Sequence, residues 1–238
     1  MLTPFGWKSK NLNHRHRSPR SGPVILFATA LFVTPFCLAQ DYHSCTLNAG
    51  SGWTQLEGIE KQNFYAGWKN FQAGAGLAVT PKPSSNRSWT AFLTVDYLFD
   101  QLDIKPEALQ QARILNPTNI GLLEATAGTA KVDLTTLDLN FRVPIKRPVA
   151  VYGFGGFGWL RRDLDITGAS GEGALLQPGG PAVFGGGGNS GAFDVGAGIN
   201  IRIPGARGLM FYVEGRVVHG LAVNHETTLL PFSAGIRW

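Results

Sequence analysis

The feature that most constrains this chain is a period of two in its hydrophobicity. In residues 193–202, apolar side chains occupy the odd positions, and polar residues or glycines occupy the even ones. Successive side chains of a β-strand point to opposite faces, so this pattern predicts a strand with one apolar face. The same alternation is clear in six segments: residues 71–80, 89–99, 137–143, 193–202, 209–217 and 230–238. Two weaker segments, Cys45–Gln55 and Val149–Trp159, raise the number to eight strands of about ten residues, although glycines leave the facing of the second one open.

The connections between these segments alternate in length. The short ones are rich in proline, glycine or basic residues: Pro81–Arg87, Pro144–Pro148 and Pro204–Gly208. The long ones are Glu57–Trp68, Asp100–Thr129 and Asp163–Ser190, with an intermediate one at Gly220–Thr228. Short turns on one rim and long loops on the other are typical of a barrel with periplasmic turns and extracellular loops. We therefore expect an all-β, eight-stranded antiparallel transmembrane β-barrel, with a short helix at residues 106–115 inside one loop.

A soluble barrel or sandwich has the same period but the opposite polarity of its faces. Two features favour a membrane barrel. The polar face of the strands consists of small residues and single charges, with almost no lysine. Aromatic residues cluster at the strand ends like interfacial girdles: Trp89, Phe141, Phe211 and Trp238 at the short-turn rim, and Trp53, Tyr97, Phe99, Trp159 and Phe193 at the long-loop rim.

The first 39 residues differ in composition from the rest of the chain. They hold five of the 21 basic residues and no acid, so the remaining part carries equal numbers of acidic and basic residues. An apolar run from Val24 to about Leu38 follows the basic stretch and ends at a small-residue site before Gln40. We predict a signal peptide at residues 1–39, cleaved after Ala39, and a barrel domain at residues 40–238; an uncleaved anchor is the alternative. A neutral exported part has no electrostatic footprint for nucleic acid.

The last nine residues end in tryptophan and carry apolar side chains at alternate positions: Leu230, Phe232, Ala234, Ile236 and Trp238. This pattern resembles the C-terminal assembly signal of bacterial outer-membrane proteins, and the whole exported part resembles the small OmpA-like or opacity-protein-like barrels. The resemblance implies the bacterial outer membrane as location, outer-membrane lipid as surroundings, and a monomer. It also implies the outer-membrane assembly machinery and periplasmic chaperones as transient partners. Because the chain stops at Trp238, the peptidoglycan-binding domain of larger members is expected to be absent.

Candidate catalytic residues are few. His219 and His225 flank the last connection, with Glu226 and Ser233 close by, and a serine–histidine pair with an acid can deacylate lipid. There is no Gly-x-Ser-x-Gly turn, and Ser233 is expected to face the lumen, so no catalytic site is predicted. The run Gly185–Gly188 lacks the lysine of a nucleotide-binding loop, and the acidic loop residues lack a calcium pattern. No cofactor or metal is expected.

Charged residues on the polar face of the strands are more informative. Four acids and four arginines are expected to face the lumen: Asp96, Asp138, Asp194, Glu214, Arg142, Arg202, Arg216 and Arg237. Side chains can fill the interior of an eight-stranded barrel, and buried charges are costly unless they are paired. The charges therefore form either a structural plug or the wall of a narrow solute path. The functional prediction is a non-catalytic barrel with a structural or surface-interaction role, and the alternatives are a narrow channel and a lipid-modifying enzyme.

Overall fold

A computed structural model describes residues 45–80, 89–115, 124–146, 148–168, 188–206, 208–221 and 227–238. The expected signal peptide lies outside the described residues. These residues form eight strands and two helices, in this order: β1 (Cys45–Leu56), α1 (Gly58–Asn63), β2 (Gly67–Ala78), β3 (Thr90–Asp103), α2 (Pro106–Leu115), β4 (Ala127–Lys146), β5 (Val149–Thr167), β6 (Gly188–Arg202), β7 (Met210–Gly220) and β8 (Thr228–Arg237). Neither described helix is long and apolar enough to cross a membrane.

The strands form one closed antiparallel barrel. Each strand pairs with its neighbour in sequence, and β8 pairs with β1, beginning with Asn48 opposite Arg237. Two backbone hydrogen bonds of 2.8 Å between Leu47 and Trp238 extend this closing pair. Closure removes the edges that β1 and β8 would otherwise expose, which is the condition for placing strands in lipid. The predicted eight-stranded antiparallel barrel is confirmed. The end that carries the short connections and both ends of the described chain is called the lower end below.

The strands are longer than the sequence pattern predicts. They have 10 to 20 residues, and β4 and β5 are the longest with 20 and 19. Strands β3 to β5 extend at the upper end into segments expected to be loops, Asp100–Thr129 and Asp163–Ser190. The expected loop Glu57–Trp68 contains α1. The helix expected at residues 106–115 is confirmed as α2. The wall formed by β3, β4 and β5 is therefore taller than the rest of the barrel.

A change of phase in the alternation explains the underestimated strand lengths. In the lower part of β4, Leu137 and Leu139 are exposed on the outer face. In its upper part, Val132 and Leu134 are buried in the interior. The apolar residues thus move from odd to even positions, and the period of two breaks although the strand continues. A strand that leaves the membrane for water needs a polar outer face, so its pattern must reverse at the boundary.

The outer face of the lower barrel is apolar. Its exposed large apolar side chains include Leu77, Leu93, Val95, Leu137, Leu139, Val195, Ile199, Val213, Val217, Phe232 and Ile236. Aromatic residues lie at its borders. At the lower border, the rings of Trp89 and Phe141 are 6.1 Å apart. At the upper border, the strand register places Tyr97, Thr135 and Trp159 side by side. An apolar outer band between aromatic borders is the surface of a barrel that lies in lipid.

The facing of β5, which the sequence leaves open, follows the same rule. Tyr152, Phe154 and Leu160 are buried in the interior, whereas Phe157 and Trp159 are exposed on the outer face. Even positions of this strand therefore point inward, and the glycines at odd positions lie on the lipid side.

The upper interior is filled by an apolar cluster. Its members come from the inner faces of the strands, from the loops and from α2: Leu56, Phe64, Leu98, Leu102, Ile104, Ala108, Leu109, Ala112, Ala125, Ala130, Val132, Leu134, Leu160, Ile166, Ala192, Val218 and Leu229. The helix contributes Ala108, Leu109 and Ala112, which lie on one helical face. The cluster separates the polar lower interior from the upper end of the barrel.

Candidate functional site: the charged interior

The polar interior of the lower barrel is organised around Glu214 on β7. Its side chain is 2% exposed. One carboxylate oxygen accepts hydrogen bonds from Gln72 Nε2 at 3.3 Å and Arg216 Nη2 at 2.9 Å. The other accepts from Tyr152 Oη at 2.8 Å and Arg237 Nη2 at 3.4 Å. Each oxygen therefore has two donors, which is what a buried carboxylate needs to offset the loss of water.

Arg216 connects Glu214 to a second acid. Its Nη1 donates to Oδ2 of Asp194 on β6 at 2.9 Å, in addition to the bond from Nη2 to Glu214. Its guanidinium carbon lies 4.6 Å from the centre of the Phe154 ring. Charge and ring contact together hold the guanidinium group in a space where both of its acidic partners are buried.

Arg237 occupies the neighbouring part of the lumen. Its Nη1 donates to Oδ1 of Asn200 at 3.0 Å. Its guanidinium carbon lies 4.3 Å from the centre of the Tyr152 ring and 4.7 Å from that of Tyr212. A planar guanidinium group stacks on aromatic faces, so the tyrosines lie on its faces, while Asn200 and Glu214 accept hydrogen bonds from its two Nη atoms. The result is a packed layer across the lumen.

Two of the expected lumen acids are held by neutral donors. Asp96 accepts hydrogen bonds from Asn48 Nδ2 at 3.1 Å and Thr94 Oγ1 at 2.9 Å. Asp138 accepts one from Thr136 Oγ1 at 2.9 Å. Within the described part of the chain, neither carboxylate has an ion-pair partner within 4.0 Å. The expected pairing of four acids with four arginines therefore does not occur.

The other two expected arginines lie outside the ion-paired layer. Arg142 is half-buried, donates to Thr46 Oγ1 at 3.1 Å and lies 4.1 Å from the centre of the Phe92 ring. Arg202 is exposed. It has the inward parity of its strand, but it is the last residue of β6, where the wall ends and the side chain reaches water. Its expected place in the lumen network is wrong for this reason.

The interior also holds an acid that the sequence pattern assigns to a loop. Asp100, expected in the connection Asp100–Thr129, is fully buried on β3. Among the described residues, the strands bury five carboxyl groups, those of Asp96, Asp100, Asp138, Asp194 and Glu214, and α1 buries a sixth, that of Glu60. The arginines of the interior are the buried Arg162, Arg216 and Arg237 and the half-buried Arg142. The interior is acid-rich rather than balanced.

Glycines on the inner face make room for this layer. A Cβ at Gly74 would lie 2.0 Å from Oδ1 of Asp96, and one at Gly156 would lie 2.1 Å from Oδ1 of Asp138. A Cβ at Gly50 would lie 2.2 Å from the hydroxyl oxygen of Tyr212. Contacts this short do not occur between real atoms, so the polar side chains occupy space that any larger residue would take. Inward glycines opposite charged residues are the sequence signal for such a layer.

A second buried ion pair lies above the polar layer. Arg162 on β5 pairs with Glu60 of α1, and both side chains are buried. Thr227 Oγ1 donates to Glu60 at 3.2 Å, and the Arg162 guanidinium lies 5.0 Å from the centre of the Phe64 ring. This pair connects the first loop to the barrel wall. The pair was not predicted, because the alternation of β5 in the sequence ends at Trp159. Arg162 shares the inward parity of Leu160, and this parity is the signal that could reveal it.

The candidate catalytic residues are not brought together. His219 Nδ1 lies 3.0 Å from Thr228 Oγ1, and the His219 ring is 5.1 Å from that of Phe193 on the outer face. Ser233 is 3% exposed in the interior and donates to Asn70 Oδ1 at 3.4 Å. The barrel wall separates His219 from Ser233. His225 and Glu226 lie outside the described residues. The first three glycines of the run Gly185–Gly188 also lie outside them, and Gly188 begins β6.

Metal ligands are also not gathered. Within the described ranges, no group of three histidine, cysteine, aspartate or glutamate side chains could hold a metal ion. The loop acids Asp163 and Asp165 lie on β5 and pair with Arg161 and Lys131 at 2.8 and 3.7 Å.

The C-terminal residues lie along the closing strand. Phe232, Ala234 and Ile236 are exposed on the outer face, Leu230 is half-buried, and Trp238 is half-buried at the lower border. Their backbone pairs with β1 and β7, so this strand completes the wall. The chain thus combines a polar interior, an apolar outer band and closure between the first and last strands. The chain is a transmembrane β-barrel of the outer-membrane type.

The chain is similar to solved outer-membrane barrels. Neisserial surface protein A shares 13% identity over 81% of this chain and 94% of its own, with a TM-score of 0.47. Ail, the attachment invasion locus protein of Yersinia pestis, shares 12% identity over 82% and 97%, with a TM-score of 0.38. The N-terminal barrel domain of Pseudomonas aeruginosa OprF shares 10% identity over 81% and 97%, with a TM-score of 0.37. No protein-family model and no curated protein sequence matches the chain. The assignment as a transmembrane barrel depends on the closure and polarity of the chain itself.

Proposed function

We propose that this protein is a non-catalytic barrel of the bacterial outer membrane with a structural or surface-interaction role. The observation that carries the proposal is the filled interior. An ion-paired layer around Glu214 crosses the lower lumen, and an apolar cluster with α2 fills the upper one. A barrel filled in this way offers no wet path for solutes, so its function lies at its surfaces.

The proposal includes a route and an orientation. A signal peptide at residues 1–39 exports the chain, periplasmic chaperones carry it, and the outer-membrane assembly machinery inserts it through the C-terminal strand. The short connections then face the periplasm, and the upper end with α1 and α2 faces the outside. The barrel works as a monomer in outer-membrane lipid. Catalysis is not part of the proposal, because His219 and Ser233 lie on opposite faces of the wall.

A narrow channel is the second candidate, and the acid-rich lower interior favours it. Buried carboxylates without ion-pair partners, such as Asp96 and Asp138, attract cations into a wet lumen. The apolar cluster above them argues against a continuous path, because ions cross an apolar constriction poorly.

Single-channel conductance in a planar bilayer separates the two candidates. We expect the refolded wild-type barrel, residues 40–238, to show no steady conductance. A variant that empties part of the ion-paired layer, Arg216→Ala combined with Glu214→Ala, serves as the comparison, because it removes side chains that cross the lumen. Steady ohmic conductance of the wild-type barrel would contradict the filled interior and establish the channel.

A further inference from the structure

Five side chains near the upper border of the barrel form a lysine–aromatic patch: Lys61, Tyr65, Trp68, Lys69 and Lys105. The ammonium group of Lys105 donates to the carbonyl oxygen of Lys61 at 2.7 Å and lies 5.6 Å from the centre of the Tyr65 ring. The backbone N–H of Tyr65 donates to the carbonyl oxygen of Asp103 at 2.9 Å, and the Asp103 carboxylate pairs with Lys69 at 2.8 Å. These contacts bring Tyr65, Lys69 and Lys105 together around Asp103 and the Lys61 carbonyl group. The exposed side chains of Lys61 and Trp68 adjoin them in the chain.

The aromatic rings of the patch are unusually exposed. Trp68 is 79% exposed and Tyr65 is 48% exposed. Tryptophan and tyrosine combine an apolar ring with a polar tip, and they concentrate where one side of a protein is apolar and the other wet. Rings exposed to this degree next to lysines indicate a contact surface.

The height of the patch is set by Lys69. It points outward from β2, two residues above Phe71, and Phe71 pairs with Phe99 at the upper aromatic border. Successive outward side chains of a strand are two residues apart, so Lys69 is the first outward residue above the apolar band. This is the layer of the lipid headgroups.

The charge of the patch differs from that of the adjoining wall, where β4 pairs with β3 and β5 pairs with β4. On the outer face of β4 and β5 near this height, two basic side chains have acidic partners: Lys131 with Asp165 at 3.7 Å, and Arg161 with Asp163 at 2.8 Å. In the patch, Lys69 alone has a carboxylate within ion-pair distance among the described residues. Glu57 and Glu107 lie nearby in sequence but pair with neither Lys61 nor Lys105. Lys61 and Lys105 of the patch therefore keep ammonium groups without a carboxylate within ion-pair distance among the described residues.

We propose that the lysine–aromatic patch binds the phosphorylated saccharide headgroup of an outer-leaflet glycolipid. Lysine ammonium groups bind phosphate, and exposed aromatic rings pack against sugar faces at the membrane interface. An acidic glycan from outside the cell has related chemistry, but the position of Lys69 in the headgroup layer favours the lipid. The proposal rests on the outer-membrane location of the proposed function. It does not depend on whether the lumen is closed, so finding that the barrel conducts ions would not contradict it.

Native mass spectrometry of the barrel in a non-ionic detergent tests the proposal, with diphosphoryl lipid A as the probe. Each lysine replaced by glutamine in the patch should weaken binding about 5-fold, as expected for a basic side chain at an anionic surface. Trp68→Ala should also weaken it. The double variant Lys131→Gln with Arg161→Gln is the matched control and should bind like the wild type. Replacing the patch lysines by arginine should retain binding.

Further arms distinguish the sources of the anion. Inorganic phosphate at the same concentration should not displace the lipid, and a lipid A that lacks both phosphates should bind weakly. Heat-modifiable gel migration checks that every variant is folded. Unchanged binding in the lysine variants, or an equal loss in the control, would refute the proposal. Displacement by inorganic phosphate, or preferential binding of a sulfated oligosaccharide, would also overturn it.

Discussion

Adjacent glycines on β5 allow a direct test of how tightly the lower interior is packed. Gly156 faces the interior. A Cβ added there would lie 2.1 Å from Oδ1 of Asp138 and 2.2 Å from the carbonyl oxygen of Leu137. The carbonyl belongs to the β4 backbone, which is paired on both sides, so a change of side-chain rotamer cannot relieve the contact. Overpacking of a rigid interior costs about 1–3 kcal/mol. We expect Gly156→Ala to lower the free energy of unfolding by that amount.

Gly155 provides the control one residue away. It faces lipid, and a Cβ there would lie 3.5 Å from the carbonyl oxygen of Asp194 and 3.9 Å from Cγ2 of Val195, which are ordinary contacts. Alanine also restricts the unfolded chain, which stabilises a protein by about 0.4–1 kcal/mol where the native backbone tolerates it. We expect Gly155→Ala to leave the free energy of unfolding unchanged or to raise it slightly.

Urea titration of the refolded barrel in lipid vesicles measures both variants. Heat-modifiable gel migration reports the folded fraction, and equal slopes against urea concentration show that the same surface unfolds in each. A Gly156→Ala barrel as stable as the wild type would refute the packing argument. Equal losses in both variants would show that the glycines serve the twist of β5 rather than the space beside Asp138.

Four further predictions follow from the structure. Arg216→Ala leaves Asp194 buried without an ion pair and should lower the free energy of unfolding by about 3–5 kcal/mol. Arg161→Ala removes the half-exposed ion pair with Asp163 and should lower the free energy of unfolding by less than about 1 kcal/mol. If urea titrations gave the same loss of free energy for both variants, the buried ion-paired layer would be contradicted. Glu60→Gln should speed amide hydrogen exchange in residues 58–64 without unfolding the strands, and unchanged exchange there would show that the pair with Arg162 does not hold the loop. Replacing Trp238 by aspartate should leave the exported chain unfolded in the periplasm, and heat-modifiable barrel at normal level in outer-membrane fractions would exclude this role. Deleting residues 170–186 removes none of the described β5–β6 pairs and should leave the yield of folded barrel unchanged, whereas loss of barrel would show that the segment packs against the wall.

The secondary structure was predictable where a stretch of strand lies entirely within the lipid band. In residues 193–201 of β6, apolar outward side chains alternate with polar or glycine inward positions, so Asp194 inward and Val195 outward follow from the alternation alone. In β4 and β5, the environment changes along the strand. The alternation reverses near Thr135 and Trp159, at the upper border of the lipid band, and a reading of local periodicity ends the strand there. The buried Asp100 and Arg162 lie above or beside this reversal, which is why their positions in the wall were not predictable from the pattern.

In the six clearly alternating segments, the sequence by itself determined which face of the barrel each residue occupies, because successive side chains of a strand point to opposite faces. The tertiary structure decided which charges meet. Glu214 contacts Tyr152, 62 residues away, and Glu60 contacts Arg162, 102 residues away. These contacts between residues far apart in sequence depend on the register of all eight strands and on the closure of β8 onto β1. Arg202 shows the same dependence in reverse: its parity points inward, but its place at the end of β6 puts it in water, and only the closed barrel defines where the wall ends.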